Sequence, residues 1–389
     1  MTGEAVFRIG LLRLTDAAPL IIARKLGCFA GENVDVALSL EPSWANIADK
    51  LSWGLLDGAM LLPPLALALE LGLSGSGGPE AIVVPAALSL NGNTVTLAER
   101  WAEPALGDGA ASASESAWRF RGVIGERGRK PVLAVVHTFS THNLLLRYWL
   151  ATGGIDPDRD VTFTVVPPAE TVDALAAGRI DGFCAGAPWG EVAARAGLGR
   201  TVATSHAIWN HGTEKVFAVR RKLAEEHPGR LQAALRAVLR AAAYCDNPAN
   251  ADPVAAILAQ DRYLGLPVEV ILTSLPGAAS RRTERCQADV SVFFANAATF
   301  PWRSHALWFL GQMRRWGYLG AGIDGVAAAA IFRPDLYAQA ALSLGIPVPT
   351  TPIKNEGRHS ASWKLPATPE PIAMGPDLFM DGAVFDPGE

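Results

Sequence analysis

The sequence predicts an α/β protein built as two similar lobes with a cleft between them. The first sign is an alternation of short β-branched runs with apolar helical stretches, clearest over Pro131–Trp189. The second is a repeat. Leu51-Ser-Trp-Gly54-Leu-Leu-Asp57-Gly58 and Leu175-Ala-Ala-Gly178-Arg-Ile-Asp181-Gly182 share their Leu, Gly, Asp and Gly positions. Each copy ends a helix, turns at Asp-Gly, enters an apolar strand and then meets proline. The third is size: 389 residues, 50% of them hydrophobic, suffice for two sizeable cores.

In chain order, Val6–Leu12 reads as a first strand, followed by a helix around Ala18–Cys28 and a strand at Val34–Leu40. A helix near Ser43–Leu51, a strand at Ala59–Leu62, a helix at Leu65–Leu71, a turn at Ser74–Gly78 and a strand at Ile82–Leu88 follow. Asn91-Gly92-Asn93 is a turn signal, and the alternating Thr94–Leu97 after it reads as a first crossover into the second lobe. Ala102–Ala117 is rich in Ala, Ser and Gly without a clear period and reads as a surface insertion. Then come strand Val132–Val136, a polar turn, helix Asn143–Leu150 ended by Gly153-Gly154, and strand Val161–Val166. Val216–Val219 reads as the return crossover. Helices at Pro228–Tyr244, Pro253–Gln260 and Ser304–Trp316 pack back on the first lobe, and from Pro347 a proline-rich tail wraps the surface up to a turn at Asp381-Gly382. The division is therefore 1–95 for the first part of lobe one, 96–212 for lobe two, and 213–389 for the return crossover, the rest of lobe one and the tail.

Composition excludes several classes. The net charge is −4 with no basic block, which argues against direct nucleic-acid binding. No apolar run approaches the ~20 residues that span a bilayer. The start, MTGEAVFRIGLLRL, shows no basic segment, apolar core or small-residue cleavage site, so a cytoplasmic location is expected. Cys28, Cys184, Cys245 and Cys286 show neither CxxC nor His-paired spacing and read as reduced thiols. No metal and no cofactor are expected. No nucleophile–base pair or phosphate loop stands out, so the chain reads as a binding protein and not an enzyme.

Parallel sheets bind ligands beyond the carboxyl ends of their strands. The loop His137–His142 lies at such an end and opens a helix, where free N–H groups and the helix dipole favour an anion. The ring of His142 can donate to an oxyanion; a histidine at a helix start is otherwise a surface or capping residue. Ser140 and Thr141 offer hydroxyl and backbone donors, or serve simply as caps. Lys215, at the start of the return crossover, can neutralise a monovalent anion in a closed cleft; the alternative is a surface lysine paired with Glu214.

THNLLLRYWLATGGIDPDRDVTFTVVPP, the run from DGFCAGAPW to EKVFAVR, LSLNGNTVTLA, RRWGYLG and the terminal FMDGAVFDP together resemble the nitrate- and bicarbonate-binding proteins of cyanobacterial ABC importers. That resemblance implies the type II periplasmic-binding-protein fold: two α/β lobes joined by two crossover strands, closing on a ligand. With no export signal apparent, the chain is similar to the NasS-like cytoplasmic nitrate/nitrite sensors. These hold NasT, an RNA-binding antiterminator with an ANTAR domain, and release it when nitrate or nitrite binds.

The resemblance also implies a ligand set. The family's nitrate binders have a lysine in the motif of Lys215, whereas the bicarbonate binders carry an acidic residue there and use calcium. Lys215 thus points to nitrate or nitrite. The matching motif brings His142 to the anion, places Trp44 at the cleft mouth with its indole N–H as donor, and turns the amide of Asn93 inward. Relatives often carry Gln where Asn93 stands, and Gly-Glu-Pro-Trp where this chain has Gly186-Ala187-Pro188-Trp189. The competing readings are an importer's substrate-binding subunit and a small-acid enzyme on the same fold.

Overall fold

The computed structural model describes residues 6–74, 82–107, 111–278, 290–320 and 322–388. Ten strands form two five-stranded sheets: β1 (Phe7–Leu11), β2 (Val36–Leu40), β3 (Gly58–Leu61), β4 (Ile82–Leu90), β5 (Asn93–Ala98), β6 (Val132–Val135), β7 (Thr162–Val165), β8 (Gly182–Gly186), β9 (Gly199–Thr204) and β10 (Thr213–Arg220). The first sheet has the order β2-β1-β3-β10-β4 and the second β7-β6-β8-β5-β9. The two orders correspond position for position, which is the repeat seen in the sequence. The fold is the two-lobed α/β architecture with two crossover strands.

The sheets are not all-parallel. β1 is parallel to β2 and β3, but β10 is antiparallel to both β3 and β4. β6 is likewise parallel to β7 and β8, while β5 is antiparallel to β8 and β9. In each sheet the reversed strand is the one that arrives from the other lobe. The parallel strands end at the cleft, so a strand crossing the cleft must start there and run away from it. The first passage between sheets occurs at Asn91-Gly92, ahead of residue 95, because β5 pairs entirely with second-sheet strands. Both residues have positive φ, 58° and 90°.

The repeated Leu…Gly…Asp-Gly stretch gains a physical role. Gly54 and Gly178 take positive φ, 70° and 67°, ending their helices. Asp57 then accepts from the backbone N–H of Arg8 on β1 (2.9 Å), and Asp181 from that of Val132 on β6 (2.9 Å). Each carboxylate clips the neighbouring parallel strand at its first residues. Each also pairs with arginine: Asp57 with Arg8, Asp181 with Arg100 and Arg129.

The stretch expected as a surface insertion is helical instead. Helices Glu99–Leu106 and Ala113–Arg127 cover the second sheet, the latter opened by a capping box between Ser112 and Glu115. Their small residues hide the amphipathic period because they allow close packing. A Cβ on Gly153 would come 2.6 Å from the backbone of Ala117. Trp101 meets Phe120 edge to face and Phe120 stacks on Trp149 through this layer, with ring centroids 5.8 and 5.5 Å apart. Most of the expected turn Ser74–Gly78, and Cys286, lie outside the described residues. Cys28 is half-buried, and Cys184 and Cys245 are buried. Among the described residues no helix is long and apolar enough to cross a membrane.

The tail is irregular apart from two short strand pairs, Val348–Pro349 with Ala367–Thr368 and Trp363–Leu365 with Ile372–Met374. It is pinned at both lobes. Glu356 accepts from Ser304 (2.7 Å) and pairs with Lys354, while Phe379 stacks on Trp209 at 5.2 Å and Tyr148 donates to Asp381 at 2.8 Å. Burial pushes the carboxyl of Glu356 up, but His305 and Lys354 outweigh it and hold Glu356 at about 2. Burial keeps His305 below its usual range, while its pairing with Glu356 at 3.2 Å pulls the other way. The folded value lies below the ordinary 4.5, so this docking contributes fully above that pH and is lost as pH falls toward 2. Amide protection of the tail, taken relative to free-peptide exchange at each pH, should therefore fall selectively below about pH 4.5. An equal fall across both lobes would show that Glu356 does not hold the tail separately.

Candidate functional site

The topology decides which side chains meet. The loops after the parallel strands reach the cleft, and so do the first residues of the two reversed strands. From lobe one come Asp16, in the turn after β1, and Trp44, at the start of helix Trp44–Ser52 after β2. From lobe two come Thr141 and His142, at the start of helix Thr141–Thr152 after β6. The reversed strands bring Asn93, first residue of β5, and Glu214-Lys215, near the start of β10.

Lys215 is at the centre. Its Nζ donates to Glu214 Oε1 at 2.6 Å, lies 3.1 Å from Asp16 Oδ2, and sits 5.7 Å from the ring centroid of Trp44. The contact with Asp16 is an ion pair without hydrogen-bond alignment, and Asp16 Oδ2 has no directional donor. Ser89, paired with Lys215 across β4 and β10, donates to the other oxygen of Asp16 at 2.8 Å. The surface-lysine alternative is excluded, since Lys215 is 0% exposed. The pairing with Glu214 is nonetheless real. Burial alone would lower the ammonium pKa, but Asp16 and Glu214 raise it above its ordinary value, so Lys215 stays charged.

His142 is also fully buried, with Nε2 3.4 Å from Glu214 Oε1 and neither ring nitrogen hydrogen-bonded. Burial, then the charge on Lys215, holds its pKa well below the usual value, so it is a neutral donor. Trp44 Nε1 and both side-chain atoms of Asn93 are buried without partners as well. Three lone donor side chains in the neighbourhood of one ammonium form a site for a small anion that offers acceptors only.

Ser140 and Thr141 are engaged otherwise. Ser140 caps the helix, accepting from the N–H of Asn143 at 3.0 Å and donating its own proton to the carbonyl of His137 at 2.7 Å. Thr141 donates to Glu214 Oε1 at 2.5 Å, a bond from lobe two to the return strand. Together with Thr15 N–H to Ala187 carbonyl (3.0 Å) and Asn143 to Tyr318 (2.9 Å), it ties the lobes shut over the site.

Sequence reasoning missed Asp16, Ser89 and Gly186, and met Glu214 only as a possible partner of Lys215. A Cβ on Gly186 would lie 3.2 Å from Asp16 Oδ2 and 3.5 Å from Asn93 Oδ1, so glycine leaves the space between them open. The repeat held a signal for Asp16. It equates β1 with β6, and hence the turn Thr15–Ala17 with the loop that leads to His142. Ala187 contributes backbone alone, donating to the carbonyl of Gly92 at 2.7 Å.

The profile of the NMT1-like family matches residues 3–259. The nitrate/nitrite binding protein NrtA of Synechocystis sp. is 30% identical over 390 residues, which cover 98% of this chain and 82% of the relative. The crystal structure of periplasmic nitrate-binding NrtA from Synechocystis PCC 6803 has a TM-score of 0.85 at 28% identity, covering 99% of this chain and 96% of that one. The nitrate import ATP-binding protein NrtC of Synechocystis sp. is 36% identical over 348 residues, and this chain spans only 50% of its length. By fold, by the extent of the match and by these relatives, the chain belongs to the NMT1-like family.

Proposed function

We propose that this chain binds nitrate or nitrite and closes its lobes over the anion. The observation that carries the reading is the fully buried set of unpartnered donors on Trp44, Asn93 and His142 beside charged Lys215. The names of the relatives supply the ligand class. A micromolar dissociation constant needs ~8 kcal/mol, within reach of a few charge-assisted hydrogen bonds.

The same site serves two settings. In one, the chain is a cytoplasmic sensor, and closure changes the surface offered to a NasT-like RNA-binding antiterminator, which must distinguish open from closed. In the other it is the substrate-binding subunit of an ABC importer and docks on a permease; the relatives' names favour this one. Neither involves catalysis. Calorimetric titration with nitrate, nitrite and bicarbonate, with and without calcium, tests the ligand. Saturable nitrate or nitrite binding without calcium is expected, and binding of bicarbonate alone would sink the proposal. Nitrate-dependent release of a co-purified antiterminator would then select the sensor, and stable capture by a permease the importer.

A further inference from the structure

The buried site contains one charge too many of the wrong sign. Asp16 and Glu214 flank Lys215, and all three are at most 1% exposed. With His142 neutral, the two carboxylates and one ammonium sum to a single negative charge. A monovalent anion held by Trp44, Asn93 and His142 would double that charge in a space closed to solvent, where ions are poorly screened. We propose, resting on the anion-site reading above, that the anion enters with a proton and that Glu214 carries it.

The surroundings select Glu214 over its neighbours. Asp16 accepts from Ser89 of lobe one and lies against Lys215, whereas Glu214 is the carboxylate that lies 3.4 Å from His142 Nε2, where the anion would be held. His142 faces Lys215, whose charge opposes a second cation. Glu214 faces Asp16 across Lys215, and faces Thr141 and His142 from the lobe-two helix. Burial, with Asp16 adding to it, already pushes its carboxyl up to about 7 against the pull of Lys215 and of the hydrogen bond from Thr141. An arriving anion next to it pushes in the same direction. The proton is taken from solvent at Glu214 and returned when the anion leaves.

The test is calorimetric titration of the full chain with sodium nitrate and sodium nitrite from about pH 5.5 to 8.5, in Hepes and in Tris, whose ionisation enthalpies differ. Proton uptake should rise from near zero at about pH 6 to nearly one per anion at about pH 8, with affinity falling towards tenfold per pH unit above that. In Glu214→Gln, checked for folding by thermal melting, uptake should vanish and affinity should lose its pH dependence. Wild-type binding with zero uptake and flat affinity would overturn the coupling while leaving the anion site standing. Uptake that persists in Glu214→Gln and disappears in His142→Gln would place the proton on the imidazole and overturn the assignment. Failure of the wild type to bind either anion at any pH would instead overturn the anion site, and the coupling with it.

Discussion

Lys215→Met should weaken nitrate binding by about a thousandfold, roughly 4 kcal/mol, and also cost the fold about 3–5 kcal/mol. The first loss follows from removing the positive charge beside the donors of Trp44, Asn93 and His142. The second follows from burial: Asp16 and Glu214 would face each other with no cation between them. One must then take a proton to remain inside, and without the pull of Lys215 Glu214 does so above the value of about 7 that it has in the wild type, so the stability loss should shrink as pH falls through that range. Adding Asp16→Asn to Lys215→Met removes one of the uncompensated charges, and should restore much of the stability while leaving binding lost. His142→Ala is the comparator. It removes a neutral donor, worth about 1–3 kcal/mol, and should weaken binding less. Urea melts and nitrate titrations of the four proteins decide the matter. Binding by Lys215→Met within tenfold of wild type, or a larger effect from His142→Ala, would remove Lys215 from the centre of the site.

Asp181→Ala should destabilise the protein by about 2–3 kcal/mol, and Asp57→Ala, at the equivalent place in the repeat, by about 1–2 kcal/mol. Asp181 accepts from Arg100 (2.5 Å), Trp101 Nε1 (2.8 Å), Arg129 (2.7 and 2.8 Å) and the N–H of Val132 (2.9 Å). Burial raises its pKa, but Arg129, the Val132 N–H, Arg100 and Trp101 together hold it well below the carboxylate range. Removing it orphans a buried indole N–H and leaves two guanidinium groups crowded over the ring of Trp101, 4.7 Å from Arg127 and 4.9 Å from Arg129. Among the described residues Asp57 has Arg8 as its one side-chain partner; it is itself 17% exposed against 5% for Asp181, and its loss orphans no buried indole N–H. Denaturant melts showing equal costs would mean that the repeat, and not the local network, sets the energetics.

Much of the fold was legible because it rests on period and punctuation. The run Val132–Val136 and the glycines at 153–154 mark a strand and a helix end that the structure places within a residue or two. Glu99–Leu106 and Ala113–Arg127 were not legible. Their buried face mixes alanine and serine with Trp101, Phe120 and Val123, so the apolar period is broken by small residues of little hydrophobic contrast. Strand direction was hidden too, since β5 and β10 look like any other strand until their partners are known. At the site, the helix-opening His142 and the isolated Lys215 advertised themselves by residue type. Asp16 did not, because an aspartate after a strand reads first as a turn residue. Only its position across from Lys215 gives it another role.

The reversed strands have a consequence for the order of events in binding. Asn93 and Lys215 sit where the chain passes between lobes, with only Asn91 and Gly92 separating β4 from β5. A group beside a pivot travels little when the arms swing, whereas His142 and Trp44, carried by helices of opposite lobes, travel far. The groups at the passage therefore keep their places while the arms swing, and the arms complete the donor set around a bound anion. A change at His142 alters how long the anion stays.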